Sequence, residues 1–164
     1  MLGGGGRSFR LERQKKLIHN HRMTWFADLS SIDYFGPRAA TVLRAVGWLD
    51  GEHDFAKGPV EREVYDRLVE LCKYCWQPVV SFGVHDCELC RFVAEGKGTA
   101  NLFVPGGEVI FVCPELIVHY MNAHHYQPPP DFCAAVLECP DMRSMEYKRS
   151  LLRSGGGALL RGEP

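Results

Sequence analysis

An α+β fold is what this sequence predicts, and three observations carry the prediction. From Val60 to about Tyr74, Val60, Val64, Leu68, Leu71 and Cys72 recur at spacings of three and four, the period of an amphipathic helix. Two short apolar runs, Thr99 to Val104 and Glu108 to Cys113, flank Pro105-Gly106-Gly107, which reads as a β-hairpin. Pro114 then opens PELIVHYMNAHHY with Glu115 in its first turn, a second helical stretch that Pro128 to Pro130 bring to an end.

The remaining elements fall around these. Residues 1–22 are glycine-rich and basic, with little to bury, and read as a disordered extension. A single domain is expected over residues 23–155, with 156–164 a frayed tail. Met23 begins MTWFADLS, which has the look of a domain start and of an initiator. Trp25-Phe26-Ala27 and Tyr34-Phe35 suggest an edge strand and a turn, while Ala39 to Leu49 fits helix or strand equally. Pro78 to Val84 is β-prone, and Asp131 to Leu137 and Met145 to Leu152 read as short helices, the second closed by Gly155 to Gly157.

Composition narrows the function. With 46% hydrophobic and 24% charged residues, the 164-residue chain has the make-up of an ordinary folded domain. It offers no apolar run long enough to span a bilayer and no secretion signal, so no membrane partner is expected and a cytoplasmic location is. Net charge is −1, but six basic residues against Glu12 alone crowd into residues 1–22, and residues 143–164 are basic too. The body between them is therefore acidic, which disfavours nucleic acid as its partner. Seven cysteines without a signal peptide argue for reduced thiols and metal ligation.

The chemistry centres on His85-Asp86-Cys87-Glu88-Leu89-Cys90. Two cysteines separated by two residues can fold into a tight turn, or knuckle, that points both sulfurs at one ion, and zinc in structural sites takes four such ligands. Cys87, Cys90 and His119 are the first three candidates. The fourth is His85 or His124. In an extended strand His85 would face the same side as Cys87. His119 and His124 are five residues apart, about 140° around an ideal helix, so both reach one ion only if the helix unwinds near its end. One zinc ion is thus expected in a knuckle, β-hairpin and helix unit of treble-clef-like order, packed with additional helices. That type of module draws two ligands from the first helical turn, where this chain offers only Cys113 just before it.

Other features weigh less. Cys72 and Cys75 form a second Cys-x-x-Cys but continue the apolar face of their helix, as a small hydrophobe would, so core packing is the favoured reading; Cys133 and Cys139 are read likewise. Tyr120, Tyr126 and Pro128 to Phe132 could make a peptide-binding edge, with packing of the helix end favoured. A catalytic site would need three ligands, an open position and a base such as Glu88, Asp86 or a spare histidine. Only Arg91 and Lys97 lie near in sequence to serve a nuclease, and no phosphate loop, nucleophile elbow or dinucleotide fingerprint is present. An enzyme is the less favoured reading. A zinc-binding module with a structural zinc, partner-binding or regulatory, leads; a metal-dependent hydrolase that is nuclease-like follows, and an immunity or accessory protein is the third.

FADLS (Phe26–Ser30), GWL (Gly47–Leu49), HDCELC (His85–Cys90), NLFVP (Asn101–Pro105) and HYMNAHHYQPPPDF (His119–Phe132) together carry a resemblance. From about Met23 to Gly155 the chain resembles a family of uncharacterised short bacterial proteins with HxCxxC and HYxxxHxYxPP motifs. The resemblance implies a bacterial source and no mechanism.

Overall fold

The computed structural model describes residues 24–33, 35–36, 38–78, 85–90 and 97–161. The extension 1–22, Met23, the run 79–84 and residues 162–164 lie outside them. The fold is mixed α+β. Strands β1 (Leu43–Ala45), β4 (Asn101–Gly106) and β5 (Val109–Pro114) form one sheet in the order β1-β5-β4. Strands β2 (His85–Asp86) and β3 (Lys97–Gly98) form a separate antiparallel pair. Five helices complete the described chain: α1 (Arg62–Lys73), α2 (Ile117–His124), α3 (Pro130–Glu138), α4 (Met145–Arg153) and α5 (Gly157–Arg161).

The hairpin forms where the sequence predicts it, with its turn one residue later. Pro105 lies inside β4, paired with Ile110, and Gly107-Glu108 make the turn. Gly107 has φ +76°, the backbone conformation that two-residue hairpin turns demand and glycine adopts freely. Proline is tolerated at 105 because β4 is an edge strand, where a missing N–H breaks no ladder on the outer side. Central β5 reads VIFVCP and is buried from Ile110 onwards, as a strand covered on both faces must be.

β1 lies parallel to β5, Leu43 opposite Ile110, which settles the ambiguous stretch Ala39 to Leu49 as turn and strand. The N-terminal segment makes a turn at Ala27 to Ser30 and a single bridge, Ser31 to Arg44, in place of an edge strand. Trp48 is fully buried beneath it. Its indole N–H donates to the Val112 carbonyl at 2.9 Å, and Phe26 and Phe35 pack edge-on against the ring. On the same core, the Tyr147 hydroxyl of α4 donates to the Phe103 carbonyl of β4 at 2.6 Å.

α1 buries Val64, Leu68 and Leu71, as its period dictates, but opens at Arg62, two residues after the expected start. α3 begins with Pro130 at its first position, where a missing N–H costs nothing. α4 is capped by the Ser144 hydroxyl, which accepts the Tyr147 N–H at 3.1 Å. One expectation is corrected at the C-terminal side: residues 157–161 are not frayed but form α5, with Leu159 buried. Gly155, at φ +84°, turns the chain, and a Cβ on Gly156 would stand 2.8 Å from both Ile110 and the Leu151 carbonyl. Glycines that read as a terminator are a tight corner.

Candidate metal centre

β2 delivers the chain to the knuckle Cys87-Glu88-Leu89-Cys90. Burial pushes the Cys87 thiol up to about 11; hydrogen bonds from the backbone N–H groups of Leu89 and Cys90 oppose this, and the Cys90 thiol adds to it. The Glu88 carboxylate accepts the Gly51 N–H at 3.3 Å, which ties the knuckle to the loop after β1.

The imidazoles come from α2, whose third residue is His119 and whose last is His124. The five-residue spacing is reconciled at the helix end. There the Tyr120 carbonyl accepts the N–H groups of His125 and Tyr126, five and six residues ahead, and His125 turns into the left-handed region at φ +57°. A closure wider than the four-residue step of an α-helix swings His124 round toward His119. Their ring centres stand 5.1 Å apart.

That helix end is itself pinned. Tyr126 is fully buried, and its hydroxyl donates to both carboxylate oxygens of Asp28 at 2.9 Å. Asp28 also accepts the Gly47 N–H at 2.9 Å. Burial raises the Asp28 carboxyl above its ordinary range, against these two hydrogen bonds. Backbone bonds from Gly58 to the His125 carbonyl (3.0 Å) and from Gln127 to the Ala56 carbonyl (2.9 Å) hold the same turn from the other side.

Knuckle and helix meet in one cluster. His124 Nε2 lies 3.3 Å from Cys87 Sγ and 3.5 Å from Cys90 Sγ, and His119 Nε2 lies 3.3 Å from Cys90 Sγ. One donor atom from each of Cys87, Cys90, His119 and His124 falls within 4.8 Å of every other, close enough for all four to bind one metal ion. Burial lowers the His124 pKa, and His119, Lys57 and His125 push it the same way, a shift that favours the neutral ring, the form with a lone pair to offer.

Of the sequence candidates, Cys87, Cys90, His119 and His124 therefore converge. His85 lies in β2 opposite Gly98, and its side chain falls outside what the structure describes. Cys72 and Cys75 are not in the cluster; they pack partly buried against the core. Burial pushes the Cys72 thiol up to about 12, helped by the Glu115 carboxylate and Cys75, a poor setting for a thiolate. Tyr120 and Tyr126, weighed as a peptide-binding edge, are both fully buried.

Two further arrangements are not legible in the sequence. Asp50 pairs with His53 Nδ1 at 2.9 Å and accepts the N–H groups of Glu52 and His53, while His53 stacks on Trp25 with ring centres 3.8 Å apart. Tyr120, between the two histidines in α2, is buried with no hydrogen-bond partner for its hydroxyl among the described residues. The Asp50–His53 pair and the burial of the Tyr120 hydroxyl depend on which loops come together, which the sequence does not signal.

No helix among the described residues is long and apolar enough to cross a membrane. Comparison with protein families finds a match over residues 24–137 to the family described as Domain of unknown function (DUF7919), and the chain belongs to it. The match takes in the knuckle, the hairpin and α2. No curated protein and no solved structure matches the chain.

Proposed function

We propose that this member of the DUF7919 family is a zinc-stabilised binding or regulatory module, in which Cys87, Cys90, His119 and His124 hold one structural zinc ion. The observation that carries the reading is the set of sulfur–nitrogen separations, 3.3, 3.3 and 3.5 Å. A tetrahedral zinc with bonds of about 2.3 Å to sulfur and about 2.0–2.1 Å to nitrogen sets neighbouring S and N atoms about 3.5 Å apart. Two thiolates and two imidazoles suit zinc better than magnesium or calcium, which prefer oxygen.

Four protein ligands fill the tetrahedron, and this favours structure over hydrolysis, since a hydrolytic zinc keeps a position for water. The metal would join segments that have little else to hold them. β2 and β3 are two residues each, and a two-residue pair has no stability of its own. Because the site works only with reduced thiols, we place the protein in a reducing compartment, the cytoplasm. Its partner, on this reading, is another protein docking on the zinc-ordered surface.

Elemental analysis after reduced, chelator-free purification tests the metal: the expected content is one zinc per chain. Stripping the ion with a strong chelator is expected to lower the melting temperature, because affinity realised on folding is lost with the metal. Zinc well under one per chain, or a melting curve indifferent to the chelator, would refute the reading.

A further inference from the structure

His124 joins the cluster through the way α2 ends. The next residue, His125, is left-handed at φ +57°, and the Tyr120 carbonyl accepts both its N–H and that of Tyr126, the second at 3.1 Å. A residue other than glycine keeps that conformation only where its surroundings over-determine it. In a regular helix His124 would stand about 140° around the axis from His119. The backbone bonds Gly58 N–H to the His125 carbonyl and Gln127 N–H to the Ala56 carbonyl flank Tyr126 on the loop side. The Tyr126 side chain runs the other way, fully buried, and its hydroxyl donates to both oxygens of Asp28 at 2.9 Å.

Asp28 is a fixed anchor for that hydroxyl. It sits in the turn Ala27 to Ser30, which two backbone bonds fasten to β1: Leu29 N–H to the Ala45 carbonyl at 2.8 Å, and Ala45 N–H to the Ser30 carbonyl at 2.9 Å. Its Oδ1 also accepts the Gly47 N–H at 2.9 Å. Gly47, at φ +69°, lies close against α2: a Cβ there would stand 3.1 Å from Ile117, the first residue of the helix, and 3.4 Å from the Tyr126 ring. One carboxylate therefore gathers the N-terminal turn, the chain just after β1 and the end of α2.

We propose that Asp28 is a positioning residue of the metal centre: through Tyr126 it holds the end of α2 in the turn that brings His124, the fourth ligand, to the ion. The inference rests on the zinc reading above and deepens it by assigning what keeps the site closed. Without the carboxylate, the Tyr126 hydroxyl loses its acceptor, the turn at His125 relaxes, and His124 swings away from His119. Cys87, Cys90 and His119 then hold the ion with one position open to water, the arrangement of a catalytic zinc and not of a structural one.

The test sets Asp28→Ala, Asp28→Asn and Tyr126→Phe beside the wild-type chain. Tyr147→Phe is the control, since it removes a buried hydroxyl bonded to the Phe103 carbonyl and outside the cluster. Each chain is titrated with zinc against a chromophoric chelator, then loaded with cobalt(II), whose visible absorption reports coordination number, with and without thiocyanate. Asp28→Ala and Tyr126→Phe should bind zinc about tenfold more weakly. Their cobalt absorption should be weaker than that of wild type and should shift when thiocyanate takes the open position. Asp28→Asn, whose amide oxygen still accepts the Tyr126 hydroxyl, should fall between them and wild type. Wild type and Tyr147→Phe should bind equally tightly and ignore thiocyanate. A residue that only stabilised the fold would lower the melting temperature without opening a coordination position. If Asp28→Ala and Tyr126→Phe match wild type in affinity and spectrum, or bind more weakly with a spectrum that thiocyanate leaves unchanged, the proposal is overturned while the zinc reading stands. If the wild-type chain itself holds no zinc, the zinc reading has failed and takes this proposal with it.

Discussion

Cys87→Ser is expected to purify with far less than one zinc per chain and to melt about 10–20 °C below the parent protein. The substitution leaves one thiolate and two imidazoles, and a serine hydroxyl is a poor fourth ligand for zinc. Zinc-finger peptides realise about 10–16 kcal/mol on binding zinc. This domain has a hydrophobic core of its own, so only part of such an energy is at stake, and about 5 kcal/mol is a reasonable share. For a chain of this size each kcal/mol moves the melting temperature by about 2–4 °C. The damage should be local at first. β2, β3 and the knuckle should become sensitive to protease and exchange their amides quickly, while the hairpin β4–β5 stays protected, since its six paired positions do not depend on the ion. Full zinc content with an unchanged melting temperature would contradict the assignment of Cys87.

Trp48→Ala should match that loss of stability and yet keep the metal. The indole is fully buried, bonded to the Val112 carbonyl of the central strand, and packed edge-on by Phe26 and Phe35. Removing such a side chain leaves a cavity and typically costs about 3–5 kcal/mol. The destabilisation should appear in chemical denaturation, with zinc content still near one per chain at low denaturant. The two variants together separate the sources of stability, core packing from metal ligation. Loss of zinc in Trp48→Ala under native conditions would mean that the cluster depends on the sheet more closely than its contacts imply.

What could be read from the sequence divides along a physical line. Helix α1 and the hairpin were legible because their signals are local: Val64, Leu68 and Leu71 repeat at the helical period, and two β-prone runs bracket a glycine turn. The convergence of Cys87, Cys90 and His119 was legible from residue type and spacing. The fourth position was not. His85 and His124 stood level because the choice hangs on how α2 ends, with His125 left-handed and the Tyr120 carbonyl shared between two N–H groups. That ending is fixed by Tyr126 reaching Asp28, 98 residues away in sequence, which no local pattern reveals. β1 was ambiguous for the same reason, being three residues whose partner strand lies far along the chain. α5 was missed because Gly155 to Gly157 signal an end, while the close packing of Gly156 against Leu151 and Ile110 makes them a corner.

A treble-clef module would draw two ligands from the first turn of its helix, where the sequence offered only Cys113 just before it; α2 has His119 in its first turn, and His124 is its last residue. The ligand geometry stands without that order.

X-ray absorption at the zinc edge of the purified protein addresses that geometry directly. Two sulfurs at about 2.3 Å and two imidazole nitrogens at about 2.0–2.1 Å are expected around the ion. A shell with a single sulfur, or with a water oxygen where an imidazole should stand, would contradict that ligand set.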